Sequence, residues 1–250
     1  MALADIGVFG GSGLYELLDD VETHELTTPY GAPSAPLQIG VVGDRRVAFM
    51  ARHGLAHEFP AHRVNYRANV WAMQHAGVGA VLAPCSVGSL RPELAPGHFV
   101  VVDQFVDRTS GRADTFFDGP EPRHTSMAHP YDPALGRAIA DACRVEGVVV
   151  HEGGTVVVIS GPRFSTMAES RWFSQMGWHV VNMTQYPEAP LCVEAGIRYG
   201  AVALVTDYDA GLEDDASVEA VTQDQVFEFF KANISRVRSV LFRALEAVEL

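Results

Sequence analysis

The stretch Ala201-Val-Ala-Leu-Val-Thr206, running straight into Asp207-Tyr208-Asp209, decides how this chain folds. An apolar run rich in β-branched residues reads as a strand buried on both faces, as in a parallel sheet. Open α/β sheets hold their ligands at the carboxyl ends of such strands. Two carboxylates stand just past this end, and their i, i+2 spacing turns both to one side if the backbone stays extended. Two anionic acceptors on one wall suit a ligand with several N–H donors, and a carboxyl there can also deliver a proton. A solvated acidic turn is the plain alternative.

Outward from that strand, strand and helix signals alternate. Ile6 to Phe9 is a short buried strand that stops at Gly10-Gly11-Ser12-Gly13. Leu37 to Val42 and Val47 to Met50 form a hairpin turned at Gly43-Asp44. Val64 to Ala76 is helical in composition, Ala80 to Ala83 is a strand, and Phe99 to Val106 another. Asp107 to Asp132 is a long polar loop, of the kind that is usually functional inside a compact domain. Pro133 to Glu146 fits a helix with Pro in its first turn. Thr155 to Ile159 and His179 to Val181 are strands, with Met167 to Met176 and Pro187 to Tyr199 as helices. Thr222 and Gln225 make a capping-box pattern ahead of Phe227, Phe230, Ile234, Val237, Leu241 and Leu245. That stripe has helical spacing and reads as core packing. The expectation is one α/β domain over residues 1–250, with a central mixed, largely buried sheet flanked by helices.

With 250 residues, 48% of them hydrophobic, the chain can bury one sizeable core. A formal net charge of -13 argues against nucleic acid and anionic membrane as partners, since both call for a basic face. Lys231 is the only lysine, which removes a Walker-type lysine and a Schiff base. Cys85, Cys143 and Cys192 are far apart and lack a C-x-x-C, the pattern of reduced thiols in a cytoplasmic protein. The N-terminus enters a strand-like run with no leader pattern, and no stretch approaches the roughly 20 apolar residues of a membrane span.

Other strand ends carry chemistry. In Gly10-Gly11-Ser12-Gly13, glycines let backbone N–H groups approach an anion and Ser12 adds a hydroxyl. A dinucleotide site needs a third glycine, but Leu14, Tyr15 and Glu16 follow; a plain tight turn is the other reading. In Arg52-His53-Gly54, a guanidinium can grip phosphate in a fork while His shares or donates a proton. His53 and His57 also have metal-ligand spacing, although Gly54 and Pro60 spoil a helix there. In Asn182-Met183-Thr184, Thr184 offers a hydroxyl and Met183 can cover a sugar face, or merely pack. Phe164, in Gly161-Pro162-Arg163-Phe164, can stack on a planar ring. An oxyanion grip, a sugar floor, an aromatic face and a carboxylate pair together suit a purine nucleoside plus inorganic phosphate.

Through these motifs the chain resembles the trimeric nucleoside phosphorylases, and among them the S-methyl-5'-thioadenosine phosphorylase branch. Further stretches that carry the resemblance are Val64-Asn65-Tyr66-Arg67-Ala68-Asn69-Val70-Trp71, Gly88-Ser89-Leu90 and Asp103-Gln104-Phe105-Val106-Asp107-Arg108-Thr109. The resemblance implies that Ser12, Arg52, His53 and Thr184 hold phosphate and that Met183 lies under the ribose. It places Phe164 and Ser165 near the base, and has Asp207 and Asp209 read the 6-amino and N7 edge of adenine. It implies a homotrimer in which His124, on the long loop, reaches a neighbouring site.

Two positions depart from the branch. Cys85 stands where a threonine hydroxyl is usual in the phosphate segment, so Ser86 or its backbone N–H must compensate, or phosphate binds more weakly. Polar Gln223 falls where the methylthio enzymes place an apolar side chain, and a buried Gln wants a hydroxyl partner; facing solvent on the first helical turn is the alternative. The expected activity is therefore a purine nucleoside phosphorylase favouring 6-aminopurines, with S-methyl-5'-thioadenosine phosphorylase as the alternative. In that chemistry phosphate attacks the anomeric carbon while Asp207, its pKa raised by burial and by Asp209, protonates the departing purine. Neither metal nor organic cofactor is required, since inorganic phosphate is a co-substrate. A nicotinamide-dependent oxidoreductase, a hydrolytic nucleosidase and a non-catalytic nucleotide-binding protein are the readings from other classes.

Overall fold

The computed structural model describes residues 2–11, 13–210 and 222–249. Its first half holds β1 (Ile6–Gly10), β2 (Glu22–His24), β3 (Leu37–Val42), β4 (Arg45–Ala51), α1 (Tyr66–His75), β5 (Ala80–Ser89), β6 (Phe99–Val101) and β7 (Gln104–Arg108). The second half holds α2 (Pro133–Val145), β8 (Val150–Glu152), β9 (Thr155–Ile159), α3 (Met167–Gln175), β10 (Val180–Asn182), α4 (Gln185–Glu194), β11 (Arg198–Tyr208) and α5 (Gln223–Ala247).

These strands form one mixed sheet flanked by helices, in the order β2-β3-β4-β1-β5-β10-β9-β7, with β11, β6 and β8 branching from β5. The strand at Ala201 is β11; it runs parallel to β5 and antiparallel to β6. Ala201 to Val205 are all buried, as an apolar run between two neighbours should be.

Strand β5 organises the site. On one edge it pairs with β1 only over Ala80–Leu82, and with β10 only at Gly88 and Ser89. Between those contacts no strand of the described residues pairs with that edge, and the sheet opens into a cleft. Pro84 sits in this gap, where no neighbouring strand needs the N–H that proline lacks. Its carbonyl faces the gap and accepts from Arg52 at 3.3 Å.

Several local expectations need correction. The strand expected over Ala80–Ala83 continues to Ser89, because β11 pairs with it along its whole length. The single strand expected over Phe99–Val106 is two. At Asp103 the chain instead exchanges hydrogen bonds with Gly154 and crosses to the β9 side of the sheet. The helix expected over Pro187–Tyr199 ends at Glu194, and the turn at Gln185 before it is interrupted by Tyr186 and Pro187, whose backbone angles are not helical. Gly196, at φ 73°, turns the chain, and Arg198 and Tyr199 already belong to β11. Strands β2 and β8 are three residues each, too short for a periodic signal.

The capping box at the start of α5 is present in both directions between Thr222 and Gln225. Its apolar face buries Phe230, Val237, Val240, Leu241, Ala244 and Leu245 against the rest of the core. Among the described residues no helix is long and apolar enough to cross a membrane.

Candidate active site

A cavity of about 320 Å³ lies over the gap in the sheet. Arg52, His53, Cys85, Ser86, Phe164, Ser165, Met183, Thr184, Asp207, Asp209 and Gln223 all line it. Six segments far apart in sequence, the last of them the start of α5, thus deliver their predicted side chains to one place. Ser12 lies outside the described residues. His124 is exposed on the loop after β7 and does not line the cavity.

The glycines of the first loop serve close approach. A Cβ on Gly11 would sit 2.7 Å from the Pro84 carbonyl oxygen and 3.2 Å from Arg52 Nη1. Only glycine lets this backbone pack against the guanidinium. Gly161, at φ 64°, has the same role under Met183, whose Sδ would lie 2.5 Å from an added Cβ.

Arg52 is not the free fork that its motif suggests. Nε and Nη2 donate to the two oxygens of Glu188 at 2.5 and 2.9 Å, Nη2 donates to the Phe9 carbonyl at 3.2 Å, and Nη1 to Pro84. Of its five N–H groups, this leaves one on Nη1 for an anion. Burial opposes the Arg52 charge, but the Glu188 carboxylate outweighs it and holds the guanidinium pKa above its usual value. Guanidinium and carboxylate cancel, and the bidentate grip fixes the plane from which the last N–H projects.

His53 contributes a neutral ring. Burial, and after it the Arg52 charge, push its pKa down to about 3. Its Nδ1 lies 2.9 Å from the Phe59 carbonyl oxygen. A carbonyl only accepts, so Nδ1 carries the proton. His57, 4.8 Å away between ring centroids, has its Nδ1 3.0 Å from the Tyr15 hydroxyl. One nitrogen of each ring is thus committed elsewhere. Among the described residues no three His, Cys, Asp or Glu side chains gather as a metal site. His57 also holds φ at 56°, a left-handed conformation uncommon for a non-glycine residue.

Cys85 is buried, and burial pushes its thiol pKa up to about 11, so it stays protonated. Gln185 Nε2 donates to its sulfur at 3.3 Å, and the Tyr131 hydroxyl donates in turn to Gln185 Oε1. Beside it the Ser86 hydroxyl is buried without a hydrogen-bond partner. A buried unpaired hydroxyl is costly and rare, and here it lines the cavity where compensation for Cys85 is needed.

The carboxylates meet the opposite end. Asp207 is still part of β11, not past it as expected; a register shift between Val205 and Asp207 sets it opposite Gly88. Asp209 follows the strand, and both line the cavity. Burial, with Asp209 adding, raises the Asp207 pKa to about 6 although the Thr206 hydroxyl donates to it at 2.7 Å. Burial also raises Asp209. The Ser170 and Ser165 hydroxyls oppose that rise from nearby, yet neither reaches hydrogen-bonding geometry, and Asp209 Oδ2 is buried without a partner.

Phe227 lines the cavity as well, together with Val226. Its helical spacing assigns it to the core stripe, but it is only half-buried and stands edge-on to His57 at 4.9 Å. Glu188 is the other residue whose part the sequence hides, because its role depends on a partner 136 positions away.

A family model described as the phosphorylase superfamily matches residues 5–248. The S-methyl-5'-thioadenosine phosphorylase of Mycolicibacterium smegmatis is 54% identical over 246 residues, 98% of this chain and 92% of that protein. The purine nucleoside phosphorylase of Streptomyces coelicolor is 49% identical over 253 residues, 98% of this chain and 89% of that one. The structure of methylthioadenosine phosphorylase from Schistosoma mansoni in complex with adenine superposes with a TM-score of 0.91 at 38% identity, covering 97% of this chain and 91% of that chain.

Proposed function

The chain belongs to the phosphorylase superfamily, and we propose that it uses phosphate to cleave the N-glycosidic bond of 6-aminopurine nucleosides, with 5'-methylthioadenosine as its best substrate. The coarser activity, a phosphorylase of purine nucleosides, follows from its membership and from these relatives. One observation carries the finer reading. A carboxyl whose pKa burial raises to about 6, Asp207, and a cluster suited to an anion, Arg52, His53, Ser86 and Thr184, line the same cavity with Met183 and Phe164.

The chemistry follows from that polarity. Phosphate bound at Arg52 sets a negative oxygen against the anomeric carbon and stabilises the cation that develops as the purine departs. Holding both reactants together removes an entropic barrier. The purine leaves as a neutral base once Asp207 donates its proton to N7. Asp209 accepts from the 6-amino group, which gives its unpaired buried oxygen a partner. Met183 covers the ribose face and Phe164 the base. The residues perform this without a metal or organic cofactor.

The 5' end supports the methylthio substrate over the 5'-hydroxyl nucleoside that Gln223 suggested. Gln223 is exposed at the first residue of α5, while half-buried Val226 and Phe227 lie deeper along the same wall. An apolar wall prefers a methylthio group. Adenosine is the second reading, because Gln223 still borders the cavity. A cytoplasmic homotrimer, with exposed His124 completing a neighbouring site, is part of the proposal.

The test is release of base from 5'-methylthioadenosine, adenosine and inosine, each with and without phosphate. Release should require phosphate and follow the order in which the substrates are named. Undiminished release in phosphate-free buffer would overturn the phosphorylase reading in favour of a hydrolase.

A further inference from the structure

Behind the cavity wall, Cys85, Gln185 and Tyr131 form a hydrogen-bonded row of three buried side chains. Cys85 on β5 lines the cavity, whereas Gln185 at the start of α4 and Tyr131 ahead of α2 do not. The Tyr131 ring packs against Tyr199, with 5.7 Å between centroids. Gln185 Nε2 stands 3.3 Å from the Cys85 sulfur, and Oε1 of the same amide faces the Tyr131 hydroxyl.

The row has a direction. A tyrosine hydroxyl has one proton to donate, and among the described residues Gln185 Oε1 is the acceptor it meets. With the amide turned over, its nitrogen would face the hydroxyl oxygen, and the buried tyrosine proton would be left without an acceptor, which is costly. The Tyr131 proton therefore holds the amide oxygen on the tyrosine side and the amide N–H on the sulfur. The sulfur accepts there, so its own proton turns elsewhere. Asn182, the other amide close to this thiol, has its carbonyl oxygen engaged by the Thr184 and Gln185 N–H groups at 3.3 and 3.5 Å. The neighbouring Pro84 carbonyl oxygen is taken by Arg52. That leaves the cavity as the side from which an acceptor reaches the S–H.

We propose that Gln185 and Tyr131 are positioning residues that reserve the Cys85 thiol proton for the anion, so that Cys85 donates to a bound phosphate oxygen. In the opposite orientation the amide oxygen would capture the S–H and leave a sulfur lone pair against the anion. This rests on the phosphorylase reading and adds to it the two residues that make a thiol a donor in the phosphate site.

The experiment is steady-state kinetics of the intact enzyme and of Tyr131→Phe, alone and combined with Cys85→Ala, with phosphate and 5'-methylthioadenosine each varied. Without the hydroxyl, the amide is free to turn over and take the S–H. Phosphate KM should rise about 3- to 10-fold, the range of one weak hydrogen bond to an anion, while kcat and nucleoside KM stay within about twofold. Combined with Cys85→Ala, Tyr131→Phe should have no further effect on phosphate KM, because no thiol proton is left to divert. A merely structural loss would add in both backgrounds. The infrared S–H stretch is an independent readout. Added phosphate should move one thiol band to lower frequency, and Cys85→Ser should remove that band. An unchanged phosphate KM in Tyr131→Phe, a rise that persists with Cys85→Ala, or thiol bands indifferent to phosphate would overturn the proposal. Base release that needs no phosphate would instead overturn the phosphorylase reading. Should Tyr131→Phe fail to fold, the infrared band of the unaltered enzyme decides alone.

Discussion

Both oxygens of the Glu188 carboxylate accept from the Arg52 guanidinium, at 2.5 Å from Nε and 2.9 Å from Nη2, and each side chain is only 1% exposed. The Tyr199 hydroxyl donates to the same carboxylate at 2.8 Å. The pair links the loop after β4 to helix α4 and to β11, so the proposed anion site and the sheet share one buried network.

Breaking that pair from one side should be severe. Glu188→Gln leaves a buried guanidinium without its counter-charge, at a cost of roughly 3–5 kcal/mol. For a chain of this size that lowers the melting temperature by about 6–20 °C. Added phosphate should recover part of the loss, because it supplies the missing negative charge. Thermal unfolding with and without phosphate measures both; an unchanged melting temperature would show that the pair is not buried in solution.

On the proposed mechanism, Asp207 couples catalysis to stability. Its pKa is about 6 when folded, against about 4 in an unfolded chain. The folded state binds the proton more tightly, so this group favours folding below about pH 4, and the contribution fades as pH rises to about 6. Asp207→Asn has no charge to bury and should be more stable above about pH 7, by up to about 3 kcal/mol. Its turnover should fall by roughly 10²- to 10⁴-fold. Urea unfolding at two pH values and steady-state kinetics separate the two effects. A variant that is less stable at high pH yet fully active would contradict both.

Phe227 and Gln223 should divide the 5' specificity. Phe227→Ala removes the apolar wall and should cost 5'-methylthioadenosine about 10- to 100-fold in kcat/KM, with a smaller loss for adenosine. Gln223→Val should leave 5'-methylthioadenosine nearly unchanged, because the side chain is exposed. A large gain in methylthio preference on Gln223→Val would show instead that the amide faces the substrate, the adenosine reading.

On the proposed function, Cys85 is the weak point of the phosphate grip. A thiol is a poor donor, and its sulfur already accepts from Gln185. Cys85→Ser puts a stronger donor at the same place and should lower the phosphate KM by about 3- to 10-fold, the range of one hydrogen bond to an anion. Steady-state titration of phosphate tests it. An unchanged or higher KM would leave the Ser86 hydroxyl as the sole donor of that segment.

Much of this protein is legible residue by residue. The buried run at Ala201 names a central strand, because burial on both faces demands apolar side chains at successive positions. Thr222 and Gln225 mark a helix start, because the cap is made by groups three residues apart. Arg52-His53, Thr184 and Asp207 with Asp209 are readable as an anion grip and a base pocket, because their chemistry resides in the side chains themselves. What depends on a distant partner is different. That Arg52 has one N–H left is decided by Glu188, Phe9 and Pro84; that His53 donates from Nδ1 is decided by Phe59. The opening in the sheet exists because β1 and β10 cover different parts of one edge of β5, and the exposure of Phe227 depends on how α5 sits over that opening. The order of residues specifies which groups are present and the local elements that carry them. Which hydrogen-bonding valences remain, and which way each buried pKa moves, is set by the fold, because burial and pairing are properties of contacts between segments far apart in the chain.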